Sequence, residues 1–167
     1  MPTQTEIFES TVGLEPLPDE TLFSWCSRYH RLAANGLERT TCLQLFGHAR
    51  IGSAHDFPSR IDALVARSKG SLGSAEQVIR DRTLLPFYWP FKPSDLARQS
   101  VAAMRGNGIA HLKYRLGLLT SGLGAAHPLK SCPECMQADL EGHGWAYWRR
   151  AHQLPGVWVC PSHGIPL

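Results

Sequence analysis

Apolar residues recur at helical spacing in LPDETLFSWCSRYHRLAANG, where Leu22, Trp25, Cys26, Tyr29 and Leu32 share one side. Ser24, Ser27, Arg28 and Arg31 take the other. Asp19, following Pro18, is the expected N-cap, Glu20 suits the first turn, and Asn35-Gly36 is the expected stop. A shorter helix is predicted in ERTTCLQLFG, capped by Thr40 or Thr41 and ended by Gly47. The brief connection makes the pair the start of a helix-turn-helix-like arrangement. FPSRIDALVARSKG predicts a third helix, with Ile61, Leu64 and Val65 inward and Gly70 at its end. SAEQVIRDR opens on a capping box, Ser74 to Gln77. Residues 18–82 thus read as a small helical bundle.

The pattern then breaks. LLPFYWPFKP holds four aromatics and three prolines in ten residues, which excludes a regular helix and predicts a packed connector. SDLARQSVAAM restarts a helix, ended by Arg105-Gly106-Asn107-Gly108. IAHLKYRLGLLTSGLGAAHP follows no single period. Residues 1–16 read as a leader, and there is no internal repeat. The fold class expected is mainly α: a helical region over 1–125 and a small zinc-knuckle or zinc-ribbon module over 126–167.

Composition narrows the function classes. With 167 residues and 43% hydrophobic content, the chain can fold around a core. A net charge of +3 is compatible with nucleic acid as partner without arguing for it. No apolar run is long enough to span a membrane, and MPTQTEIFES lacks the basic and apolar regions of a signal peptide. A cytoplasmic, reducing setting is therefore expected, and five cysteines make a disulfide framework improbable there.

Three of those cysteines lie near the end, in SCPECMQADLEGHGWAYWRRAHQLPGVWVCPSHG. The spacing Cys132-x2-Cys135-x24-Cys160-x2-His163 sets four soft or borderline donors in two pairs, the pattern of a tetrahedral structural Zn²⁺. A two-residue gap lets both side chains of a pair turn toward one ion. Pro133 and Pro161 help fix each turn, and Gly164 lets the chain leave with positive φ. His143 and His152 are alternatives to His163 as the fourth donor. A redox role for the CxxC pair would need a βαβ context that is absent. Four ligands close the coordination shell, which disfavours hydrolysis at the metal.

Trp145, Tyr147, Trp148 and Trp158 lie between the two pairs and read as the module's core rather than a base-stacking platform. Arg28, Arg31, Arg39, Arg60, Arg149 and Arg150 are candidate phosphate contacts, alongside the plainer reading of solvated charges. Arg67 and Lys69 belong to the same basic surroundings. Cys26 and Cys42 read as core thiols, and His30 and His48 as packing or surface residues. No P-loop, GxGxxG, GxSxG or clustered carboxylate site is present, so enzymatic function has little support.

Two segments together suggest a family. PLPDETLFSWCSRYHRLAANG resembles the opening of TniQ/TnsD-type proteins, and CPECMQADLEGHGWAYWRRAHQLPGVWVCPSHGIPL resembles their zinc-binding segment. The shared features are Cys132 and Cys135, the stretch Tyr147 to Leu154, and Cys160 to Leu167. The resemblance implies a non-catalytic adaptor in bacterial DNA transposition that selects target DNA or docks to an RNA-guided CRISPR effector complex. It also implies recruitment of an AAA+ regulator ATPase, with double-stranded DNA as a further partner and a homodimer as one arrangement. It carries over Cys132, Cys135, Cys160 and His163 as zinc ligands and no DNA-reading residue. TnsD-like members continue past this site, whereas this chain ends four residues after His163. The expectation is an N-terminal part of a longer protein or a short family member. The alternative is a zinc-containing transcriptional regulator reading DNA through residues 38–70, with Gln44 and Arg60 as base-reading candidates.

Overall fold

Thr21, not Asp19, begins the first helix. The computed structural model describes residues 14–50, 54–106, 108, 110–119 and 128–167. Most of the leader, the Gly-rich stretch at 120–127 and the expected boundary at 125/126 lie outside them. In α1 (Leu22–Leu32), the extended Thr21 accepts the Ser24 amide on its hydroxyl at 3.2 Å. Its apolar stripe is buried as the period requires, except at Leu32, which is exposed. The helix ends at Ala33, and the left-handed residue is Ala34 (φ 50°) rather than Gly36. Asn35 contributes through its side chain, donating to Thr41 Oγ1 and Gln44 Oε1.

Those bonds orient α2 (Glu38–Phe46), whose N-cap is Leu37, without a side-chain cap bond and three residues before the expected Thr40. Thr41 is buried and meets His30 Nδ1 at 2.6 Å. Gly47 closes α2 at φ +66°, as expected; a Cβ there would lie 2.6 Å from the Arg67 guanidinium. α3 (Ile61–Arg67) and α4 (Ala75–Arg82) follow, the latter with both bonds of the Ser74/Gln77 capping box. The aromatic connector folds into a short helix, α5 (Leu85–Tyr88), and a 3₁₀ turn at Trp89–Phe91. Pro86 and Pro90 occupy first-turn positions and Pro93 the N-cap of the next helix, where a missing N–H costs little. α6 (Ser94–Arg105) and α7 (Leu112–Arg115) complete the bundle.

α1 packs on α2, α2 on α3, and α3 and α4 on α6. One core joins Leu22, Trp25, Tyr29, Phe46, Ile61, Leu64, Ile79, Leu85 and Met104. Cys26 belongs to it as a core thiol, and burial pushes its pKa up, with Cys42 and Glu20 adding to the rise. Helices account for all named elements among the described residues apart from two isolated β-bridges.

The C-terminal part contributes α8 (Pro133–His143) and α9 (Arg150–Gln153) and is stitched onto the bundle by backbone and side-chain hydrogen bonds. The Thr21 amide donates to Trp148 O at 2.9 Å, and the Trp148 amide donates to Ser24 Oγ at 3.0 Å. Arg150 donates from Nη1 to Arg80 O. Asp19, held at φ 54°, accepts the Arg150 amide on its carbonyl at 2.7 Å and the Ala151 amide on Oδ2 at 2.8 Å. The residue expected to cap α1 caps α9 instead, from 131 positions away in sequence to its first helical neighbour.

Candidate metal centre

Cys132 is the N-cap residue of α8, Pro133 its first helical residue, and Cys135 lies in its first turn. The first pair therefore sits on a helix start rather than in the free-standing knuckle expected from spacing. One helical turn brings residues three apart onto one face, so both thiols point the same way. The second pair does occupy a tight turn. The Gly164 amide donates to Cys160 O at 2.9 Å, and the Cys160 amide donates to Ile165 O at 2.8 Å. The bridge between Val159 and Pro166 closes the hairpin, and Gly164 leaves it at φ +68°.

The fold brings all four donors together: every donor atom of Cys132, Cys135, Cys160 and His163 lies within 4.8 Å of the others. The three cysteines are buried and the histidine is exposed. His163 Nδ1 is 3.4 Å from Cys132 Sγ, 3.4 Å from Cys135 Sγ and 3.6 Å from Cys160 Sγ. Cys135 Sγ and Cys160 Sγ are 3.7 Å apart. A tetrahedron with bonds of about 2.3 Å to sulfur and about 2.0 Å to nitrogen has S···S edges of about 3.8 Å and S···N edges of about 3.5 Å. The edges match, so these residues fit Zn²⁺.

The thiols differ. Burial pushes Cys135 up to about 12, helped by hydrogen bonds to Cys160 and Cys132. Burial also acts against ionisation of Cys160, but amide hydrogen bonds from Ser162 and His163, with contacts to Cys132 and His152, bring it down to about 5. A negative charge thus settles first on Cys160.

Apolar material here is sparse. Among the described residues, the partly buried hydrophobics packed against the three cysteines are Ile165 and Leu167. Of the four aromatics expected to form the local core, Tyr147 is buried, Trp145 and Trp148 are half-buried, and Trp158 is 62% exposed, with the Lys130 ammonium over its ring. Trp148 is held by the bundle, not by the sulfurs. The interior is polar: Asp139 pairs with Arg149, and Gln153 binds the backbone of Lys130.

A family model described as TniQ matches residues 11–167. The chain belongs to the TniQ family. It is also 28% identical over 125 residues to the Escherichia coli protein "Transposon Tn7 transposition protein TnsD". That alignment covers 72% of this chain and 24% of that protein, so the chain spans about a quarter of the relative's length.

In this TniQ chain the two histidines considered in place of His163 part ways. His143 is exposed at the end of α8, edge-on to Tyr147. His152 is buried beside two of the sulfurs. Of the six arginines predicted to meet phosphate, four are committed within the fold. Arg28 is 5% exposed and forms a bidentate pair with the fully buried Glu20, at 2.8 and 2.7 Å. Arg149 pairs with buried Asp139 and lies over the Tyr147 ring, and the bond to Asp139 raises its pKa above the usual range. Arg150 faces Asp19 at 3.5 Å, an ion pair without hydrogen-bond geometry, while its Nη1 serves Arg80. Arg60, half-buried at φ 58°, donates from Nε to Phe46 O at 2.7 Å. Arg31 and Arg39 remain exposed, on either side of the turn between α1 and α2. Sequence reasoning gave Asp19 and Glu20 roles at the start of the first helix only, and it missed Asp139 and Gln153, whose partners are Arg149 and Lys130. Only the acidic-then-basic order of Glu20, just before the Thr21 cap, and Arg28, within α1, hinted at an internal pairing.

Proposed function

We propose that this TniQ chain is a non-catalytic adaptor in DNA transposition, with a structural Zn²⁺ held by Cys132, Cys135, Cys160 and His163. The observation that carries the reading is the TniQ match over almost the whole chain. The relative named as a transposition protein supports it. In this reading the chain supplies binding surfaces: one for the AAA+ regulator ATPase, another for target double-stranded DNA or an RNA-guided effector complex. A metal bound at the four donors cross-links the start of α8 to the C-terminal hairpin, where buried apolar surface is too small to hold them. The helical region and the zinc-binding module then act as one platform, because Asp19, Thr21 and Ser24 bond directly to residues 148–151.

The transcriptional regulator is the weaker reading. Its base-reading candidates are engaged internally: Gln44 by Asn35 and Tyr29, and Arg60 by Phe46. Sedimentation of the full chain with the AAA+ ATPase, with and without duplex DNA, tests the proposal. An ATPase complex, with weak and salt-dependent DNA binding by the chain alone, is expected. Tight sequence-specific DNA binding with no ATPase complex would overturn it.

A further inference from the structure

Beside the four donors, a fifth polar side chain faces the sulfurs. His152 is 3% exposed, and its Nε2 lies 3.6 Å from Cys160 Sγ and 3.8 Å from Cys135 Sγ. These are N–H···S hydrogen-bond distances, and the residue stands outside the set whose donor atoms all lie within 4.8 Å of one another. A buried imidazole occupies such a place only if the chain around it is fixed. Its helix, α9, is four residues long and would not form alone. Three attachments hold it. Asp19 receives the Arg150 and Ala151 amides. Gln153, the next residue, accepts the Lys130 amide on Oε1 at 2.9 Å and donates to Lys130 O at 2.8 Å. It also donates to Arg149 O at 2.9 Å. Gln153 thereby fixes the strand of chain that reaches Cys132 two residues on.

Charge supplies the reason for a donor. Three thiolates and a neutral imidazole around a dication leave one net negative charge among buried sulfurs. A buried charge is costly unless hydrogen bonds meet it. The Ser162 and His163 amides meet part of it at Cys160. We propose that His152 is a positioning residue, not a ligand: its Nε2–H donates to the Cys160 and Cys135 thiolates, and Asp19 sets its place. The segment before α1 and the metal centre are then coupled through α9. This rests on the metal-site reading above.

The test uses the full chain, with Co²⁺ absorption to report ligand identity and chelator competition to report Zn²⁺ affinity. The Gln amide nitrogen in His152→Gln can reach the Nε2 position, whereas that of His152→Asn stops nearer Nδ1. His152→Gln should stay within a few-fold of the native affinity. His152→Asn and His152→Leu should bind about 10–100-fold more weakly, the usual effect of losing a group that hydrogen-bonds a ligand. All three should keep the tetrahedral three-sulfur, one-nitrogen spectrum. Asp19→Ala should weaken binding in the native chain and less so in His152→Asn. Equal affinities across the series would overturn the proposal, as would loss of a nitrogen ligand in the His152 variants with retention in His163→Ala. Failure of the native chain to bind either ion would instead refute the metal site itself.

Discussion

Replacing Asp19 separates two effects that geometry joins at one residue. Its Oδ2 caps α9 through the Ala151 amide, and its backbone sits at φ 54°. Losing an N-cap carboxylate costs about 1 kcal/mol. The half-exposed ion pair to Arg150 adds at most about 0.5 kcal/mol after solvent screening. Holding a residue with an ordinary Cβ in the left-handed region costs about 1 kcal/mol more than holding Asn, Asp or Gly there. Asp19→Ala should therefore destabilise by about 2 kcal/mol, Asp19→Gly by about 1 and Asp19→Asn by less than about 1. Urea unfolding of the metal-loaded chain, followed by tryptophan fluorescence, gives the three values. Asp19→Gly less stable than Asp19→Ala would refute the strain argument, and a native-like Asp19→Ala would refute the cap.

Arg28→Ala should lower stability by about 3–5 kcal/mol, since it strands the fully buried Glu20 carboxylate; a loss under about 1 kcal/mol in urea unfolding would contradict the pairing. Arg31→Glu and Arg39→Glu should leave stability near native, weaken DNA binding alike for all sequences, and each reduce the salt slope by about one. Unchanged salt dependence would remove that face from the DNA interface. Metal binding should strengthen with pH. The metal-free site keeps a proton on Cys135, whose pKa is near 12, while Cys160 at about 5 has already lost its own. Binding must release the Cys135 proton, so acid favours the empty form, and Zn²⁺ affinity should rise at least about tenfold per unit between pH 6 and 8. A flat profile in chelator competition would contradict this.

The helical bundle is readable in the sequence wherever local signals decide: the stripe of α1, the Ser74/Gln77 box, and Gly47 as the stop of α2. The convergence of Cys132, Cys135, Cys160 and His163 is readable because the spacing within each pair is itself local. What escaped is set by remote partners. Asp19 looks like a cap for α1 because caps usually serve the helix that follows them, and no local rule points across 131 residues. α8 escaped because its pattern is inverted: Asp139 and Cys135 face inward while Met136 and Leu140 are exposed. Burial there follows the sulfurs and the Arg149 pair, not hydrophobicity. The internal pairing of Arg28 and Arg149 escaped for the same reason, since a basic residue gives no sign that Glu20 or Asp139 lies behind it.

The central claim is that four side chains near the C-terminus grip one metal ion for architecture. Zinc K-edge X-ray absorption on the purified chain, paired with metal content, tests it most directly. One Zn²⁺ per chain is predicted, with three sulfur neighbours at about 2.3 Å and one nitrogen at about 2.0 Å, and loss of the C-terminal fold in Cys135→Ser or Cys160→Ser. An oxygen neighbour in the inner shell, or a chelated chain as well folded as the native one by circular dichroism, would contradict it.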